Sequence, residues 1–182
     1  MQINTETGLI ENALYTASPN VDDRPAEADI DLIVVHSISL PPGEYGGPWI
    51  EKLFTNQLPA EVHPYFAEIY QMKVSAHALI RRDGTVQQFV PFHQRAWHAG
   101  QSCYQGRDTC NDFSIGIELE GGDDSPFEAT QYQQLAALIE ALNTVYPNIS
   151  KTRLAGHSDI APGRKTDPGS GFDWDRLKSL LA

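Results

Sequence analysis

The chain has 182 residues, the size of one domain, and 41% hydrophobic, 20% charged and 9% aromatic residues exclude a disordered, collagen-like or membrane-spanning protein. With 24 Asp and Glu against 13 Lys and Arg it carries a net charge of −11, a field that opposes phosphate backbones and argues against nucleic acid as a partner. A chain of this size buries about 70% of its unfolded surface and needs neither disulfides nor metal in order to fold.

Met1 to Glu6 shows neither the basic nor the apolar segment of an export signal. No stretch reaches the ~20 apolar residues of a spanning helix, so no membrane partner is expected. The two cysteines, Cys103 and Cys110, fit a reducing compartment as free thiols, with one bridge left open. The expected location is the cytoplasm.

Residues 1–30 are polar and turn-rich, and predict an arm lying on a domain formed by residues 31–182. Leu32 to Val35 is an uninterrupted, β-branched apolar run, predicting a strand buried on both faces that ends at His36. Pro41-Pro42-Gly43 opens a long loop, and residues 48–54 predict a short helix with Pro in its first turn. Residues 75–82 and 85–90 read as two strands of a hairpin across Asp83-Gly84. A loop follows over 92–112.

From Ser114 to Glu120 the pattern alternates, with Ile115, Ile117 and Leu119 on one face and Gly116 and Glu118 on the other. Tyr132, Leu135, Ala136, Ile139, Leu142 and Tyr146 form one helical stripe. Ser125-Pro126-Phe127-Glu128 has the capping-box pattern, so the helix begins there or three residues later, and Pro147 ends it. Residues 153–156 read as a strand running into His157, and Asp173 as the cap of a last helix to Leu181. Interleaved strands and helices with one hairpin predict an α/β domain: a central mixed sheet flanked by helices, with long loops.

His36 and His157 both follow short strands and enter long loops, where α/β sheets place their sites. Asp167 stands ten residues beyond His157. Two imidazoles and a carboxylate are a catalytic zinc set that keeps a fourth position open, although by spacing alone they could be unconnected polar residues.

Several segments together resemble the AmpD amidases, cytoplasmic 1,6-anhydro-N-acetylmuramyl-L-alanine amidases of bacterial cell-wall recycling. They are Leu32-Ile33-Val34-Val35-His36-Ser37-Ile38-Ser39-Leu40-Pro41-Pro42-Gly43-Glu44, Val74-Ser75-Ala76-His77, and Arg95-Ala96-Trp97-His98-Ala99-Gly100. Residues 110–121, Gly156-His157-Ser158-Asp159-Ile160-Ala161-Pro162 and residues 164–169 complete the set, from about Ser18 to the C-terminus.

The resemblance implies an amidase/peptidoglycan-recognition-like fold and a monomer acting on small-molecule muropeptides, with one zinc held by His36, His157 and Asp167. It also implies that Glu118 is the catalytic carboxylate and Lys165 the stabiliser of the transition state. Ser37 stands where the family often has Asn, and Lys73 where Arg often precedes Val-Ser-Ala-His.

Glu118 is suited to move the proton of water, being beside Gly116, which leaves room. Glu120 fits a solvated carboxylate. Lys165 is placed to balance charge on the tetrahedral intermediate. Ser37, Lys73, Trp97, His98 and Arg107 are substrate-contact candidates: Trp97 could face a sugar, and Lys73 and Arg107 could pair with stem-peptide carboxylates. Each could equally be core or solvated surface. His77 reads as a structural, hydrogen-bonded residue, and His63 and His93 carry no argument. Two rival functions remain, a non-catalytic peptidoglycan-binding module and an endolysin or periplasmic amidase acting on polymeric wall.

Overall fold

The computed structural model describes residues 1–182. Its centre is a six-stranded sheet made of β1 (Leu14–Tyr15), β2 (Leu32–Ile38), β3 (Ala78–Ile80), β4 (Val86–Gln88), β5 (Ser114–Glu120) and β6 (Leu154–Gly156). The spatial order is β6-β2-β5-β3-β4-β1. Only β3 and β4 pair antiparallel, across the Asp83-Gly84 turn; every other neighbour pair is parallel. The sheet is mixed, as the sequence predicts.

The hairpin strands are shorter than expected because the Ser75 and His77 N–H groups donate to Trp97 O and Gly116 O, while the Phe89 and Val90 N–H groups share the one carbonyl of His77. Ser75 Oγ donates to Asn20 O at 2.7 Å, and His77 Nδ1 accepts from the Gly116 N–H at 3.0 Å. His77 is structural, as anticipated. The N-terminal residues supply β1 at the sheet edge, and Val21–Asp22 pairs with Arg95–Ala96. Arg24 reaches inward, its guanidinium donating to Asn111 O, Asp112 O, Phe92 O and Ser114 O at 2.9–3.3 Å.

Five helices complete the fold: α1 (Trp49–Phe54), α2 (Pro64–Ile69), α3 (Ala129–Val145), α4 (His157–Ile160) and α5 (Trp174–Leu181). Glu128 is the N-cap of α3, with the Gln131 side chain accepting from its N–H at 3.0 Å, so the later of the two starts holds. Helix α2 is not foreseen from the sequence, because its six residues are too few for periodicity to show; His63 caps it by accepting from the Tyr65 N–H at 3.1 Å. Within 92–112 the chain also forms a small ribbon, Cys103–Tyr104 against Arg107–Asp108.

Both sheet faces are covered. Ile33, Val35, Ile115, Ile117 and Leu119 pack under Leu135, Leu138, Ile139 and Leu142 of α3. Each such side chain contributes about 1.5–3 kcal/mol by leaving water. On the other face Leu32 and Val34 meet Ala99, Cys110, Phe113 and Ile160. With a period of two, His36 falls on the Leu32–Val34 face and Glu118 on the Gly116 face, opposite α3. No helix is long and apolar enough to cross a membrane.

Candidate active site

Strands β2 and β5 lie side by side with His36 and Glu118 as register partners. His36 sits inside β2 rather than at its end, since the strand runs on to Ile38. His157 opens α4 directly after β6, the neighbour of β2 on the other side. Asp167 comes from the loop beyond α4, tied back by the Ser158 N–H donating to Asp167 O at 2.9 Å.

These elements bring three donor atoms together. Nδ1 of His36 lies 3.0 Å from Nδ1 of His157 and 3.0 Å from Asp167 Oδ2, and His157 Nδ1 lies 3.1 Å from that oxygen. The hydrogen-bond network assigns the ring protons. His157 Nε2 is 3.1 Å from Ala99 O, which can only accept, so Nε2 carries the hydrogen and Nδ1 a lone pair. Burial holds His36 near pKa 4, hence neutral. Burial raises the Asp167 carboxyl and the facing imidazoles lower it; the second effect prevails and it stays ionised.

Lone pairs and a carboxylate converging at 3 Å repel one another unless a cation sits among them. The set fits zinc, for which two imidazole nitrogens and a carboxylate oxygen are ordinary ligands. Glu118 strengthens the fit. It is buried at 9% exposure, its Oε2 has no hydrogen-bond partner, and burial pushes its carboxyl well above the usual range; the charge of Asp167 adds to the rise and Lys165 opposes it.

The trio opens into a cleft of about 470 Å³, a common size for a small-molecule site. Ser37, Trp97, Lys165, Asp123 and Tyr65 line it, and Leu53 and Phe54 of α1 give one apolar wall. Ser37 Oγ donates to Asp123 Oδ1 at 3.0 Å, and Thr166 Oγ1 donates to the other oxygen of the same carboxylate. Asp123 thereby ties β2 to the segment carrying Lys165 and Asp167, a role the sequence reading missed, as it missed Tyr65. The acidic pair after Gly121-Gly122 at a strand end was the available signal.

Other expectations need correction. Arg107 lies outside the cleft, pairing with Asp31 at 2.7 Å while its guanidinium stacks 3.8 Å above the Phe113 ring. Lys73 is exposed and does not line the cleft, although Met72 and Val74 on either side do. His98 touches the cleft, but both its ring nitrogens are engaged within the protein, by His36 at 2.9 Å and Ser114 at 3.2 Å. The space above Gly116 is filled by the His98 ring and is not left for water. Glu120 is no solvated carboxylate: at 2% exposure it accepts from the Gly46 and Arg82 N–H groups and faces Arg81 at 3.5 Å. Cys103 and Cys110 are free.

A sequence model described as N-acetylmuramoyl-L-alanine amidase matches residues 26–170. The 1,6-anhydro-N-acetylmuramyl-L-alanine amidase AmpD of Escherichia coli (strain K12) is 57% identical over 177 residues, covering 97% of this chain and 96% of the relative. The relative of that name from Haemophilus influenzae is 52% identical, covering 97% and 96%.

A crystal structure of a selenomethionine derivative of AmpD superposes with a TM-score of 0.96 at 55% identity, over all of both chains. The amidase AmiD from E. coli, solved with anhydro-N-acetylmuramic acid-L-Ala-D-γ-Glu-L-Lys, superposes at 0.60 with 31% identity, covering 86% of this chain and 60% of that one. A family match over most of the chain, carried by relatives of more than half identity along nearly its whole length, shows that this chain belongs to the N-acetylmuramoyl-L-alanine amidases.

Proposed function

We propose that the chain is a zinc-dependent 1,6-anhydro-N-acetylmuramyl-L-alanine amidase. It hydrolyses the amide between the lactyl group of the anhydro sugar and L-alanine in soluble muropeptides, in cytoplasmic cell-wall recycling. The observation that carries the reading is the convergence of His36, His157 and Asp167 beside a buried, unpaired Glu118 carboxylate. The 57% identity to AmpD over nearly the whole of both chains supports the 1,6-anhydro-N-acetylmuramyl-L-alanine amide as the bond cleaved. The cytoplasmic location rests on the resemblance to AmpD. One zinc per monomer is expected, since every donor comes from a single chain.

When bound, zinc supplies Lewis acidity that polarises an amide carbonyl and acidifies water. Glu118 Oε2 takes a proton from the attacking water and returns it to the leaving α-amine, a transfer suited to a carboxyl whose proton affinity burial has raised. Lys165, which forms no ion pair and lines the cleft, offsets the negative charge gathering on the carbonyl oxygen. Trp97 presents its ring to the cleft while its Nε1–H donates to Asp22 Oδ1 at 3.1 Å, which fixes the ring as a platform for a sugar. A pure binding module has no use for an orphaned buried carboxylate.

The test is turnover of a soluble anhydromuropeptide against intact sacculi, before and after chelation. Fast cleavage of the soluble substrate, lost with the metal in a protein that stays folded, is the expected result. Full activity in metal-free protein, or equal cleavage of sacculi, overturns the reading.

A further inference from the structure

We propose that His98 is a positioning residue for the metal centre, setting the tautomer of His36 and so presenting a bare Nδ1 to the ion. The proposal rests on the reading that His36, His157 and Asp167 hold zinc.

One chain of hydrogen bonds runs behind the site. Ser114 Oγ lies 2.5 Å from Cys110 O. A carbonyl only accepts, so the single hydroxyl hydrogen of Ser114 points there. Ser114 Oγ therefore receives from its other close neighbour, His98 Nε2, at 3.2 Å. With its hydrogen on Nε2, neutral His98 has a bare Nδ1, which lies 2.9 Å from His36 Nε2 and accepts from it. His36 then carries its hydrogen on Nε2, and its Nδ1 lone pair faces His157 and Asp167. One backbone carbonyl, two removes from the site, thus fixes the orientation of a ligand.

The surroundings hold this relay in place. The His98 ring is buried, stands edge-on to His36 at 5.0 Å between centroids and 83° between planes, and fills the space above Gly116. Its backbone is held too, because the Asn111 side-chain oxygen accepts from the N–H groups of both His98 and Ala99, at 3.1 and 2.8 Å. Ala99 O is the acceptor that orients His157. The segment His98-Ala99 therefore orients both imidazole ligands, one through a side chain and the other through a carbonyl. Partners of this kind typically change metal affinity 10–100-fold when removed.

The test uses the full-length protein, its zinc affinity measured by competition with a chromophoric chelator and its His36 tautomer read by long-range proton–nitrogen NMR on metal-free protein. Wild type should show His36 with hydrogen on Nε2. His98→Phe, which keeps a ring but no acceptor, should lose 10–100-fold in zinc affinity and the unique tautomer. His98→Gln, whose carbonyl oxygen can accept, should recover most of the affinity.

Ser114→Ala removes the far anchor without enlarging any side chain. It should blur the tautomer and weaken zinc binding even if His98→Phe does not fold. A folded His98→Phe or Ser114→Ala that binds zinc within threefold of wild type, or wild-type His36 protonated on Nδ1, overturns the proposal. A wild type that takes no zinc refutes the ligand trio instead, and the metal-free tautomer still decides the role of His98.

Discussion

Gly116 and His98 occupy one space: a Cβ on Gly116 would lie 2.3 Å from His98 Cγ, closer than two carbons can approach. The glycine is there for the imidazole. Gly116→Ala must push the ring off His36, and overpacking of this kind costs about 1–3 kcal/mol. Stability should fall by that amount in urea titration, and zinc affinity should fall with it. An alanine variant with unchanged affinity would show that the ring has somewhere else to go.

Glu118→Gln should keep fold and metal and lose kcat by about 10²–10⁴, the usual worth of a general acid–base. Lys165→Ala should lose roughly 10²–10³, the usual effect of one missing oxyanion stabiliser. In both, kcat should move far more than KM. A glutamine variant with near-normal kcat would remove Glu118 from the mechanism.

The same glutamine variant should alter how stability depends on pH in metal-free protein. The folded Glu118 carboxyl sits well above its ordinary 4.5, so between those values the folded state binds more protons than the unfolded one. Wild-type stability therefore declines as pH rises from about the unfolded value through the folded one. Glu118→Gln, with nothing to titrate, should lose that slope and gain on wild type as pH increases. Parallel stability curves for the two proteins across that range would contradict the assignment of burial as the cause.

Glu120→Ala should unfold more easily while its folded fraction still turns over substrate. The carboxylate it removes holds the Gly46 N–H at 2.7 Å, the Arg82 N–H at 3.2 Å and faces the Arg81 guanidinium. Breaking a buried charged cluster on one side typically costs about 3–5 kcal/mol. Denaturant midpoint and activity per folded molecule separate the two effects; a neutral midpoint would mean the cluster contributes nothing.

Arg24→Met should be destabilised on the order of 2–4 kcal/mol, because four carbonyls lose their donor at once. Burial lowers the guanidinium only to about 10, so it is charged at every working pH. Urea unfolding measures the loss, and wild-type stability in the methionine variant would show that water replaces the guanidinium without penalty.

The parts of the fold legible in the sequence are those where one periodicity dominates. Leu32 to Val35 declares a strand buried on both faces, Ser114 to Glu120 a strand of period two, and the stripe from Tyr132 to Leu142 declares α3. The face of β5 opposite α3 was harder. Alternation says which way Glu118 and Glu120 point but not what covers them, and the cover for Glu120 is a loop 74 residues away in sequence.

His36 and His157 can be found as polar residues at strand–loop junctions and Asp167 as a carboxylate ten residues further on, but a loop carboxylate has no period, and only the resemblance separates the trio from unconnected polar residues. Arg107 and Lys73 show the converse: a cation in a polar segment carries no sign of whether it faces a cleft, Asp31 or water. His98 does line the cleft, but nothing in Trp97-His98-Ala99-Gly100 reveals that Ser114 takes one ring nitrogen and His36 the other.

The register of β2 against β5 divides the site into two mechanical classes. His36 and Glu118 ride on central strands hydrogen-bonded on both sides, so their separation is a lattice constant of the sheet and can change only when the domain unfolds. Lys165 and Asp167 ride on a surface loop pinned by a few bonds, among them Ser158 to Asp167 and Thr166 to Asp123. Breathing of that loop takes away the carboxylate ligand and the ammonium together, and leaves the histidine and the base where they were. Amide exchange should therefore show two clocks in one active site, slow for 33–38 and 115–119 and fast for 164–169, with ion escape keeping time with the fast one.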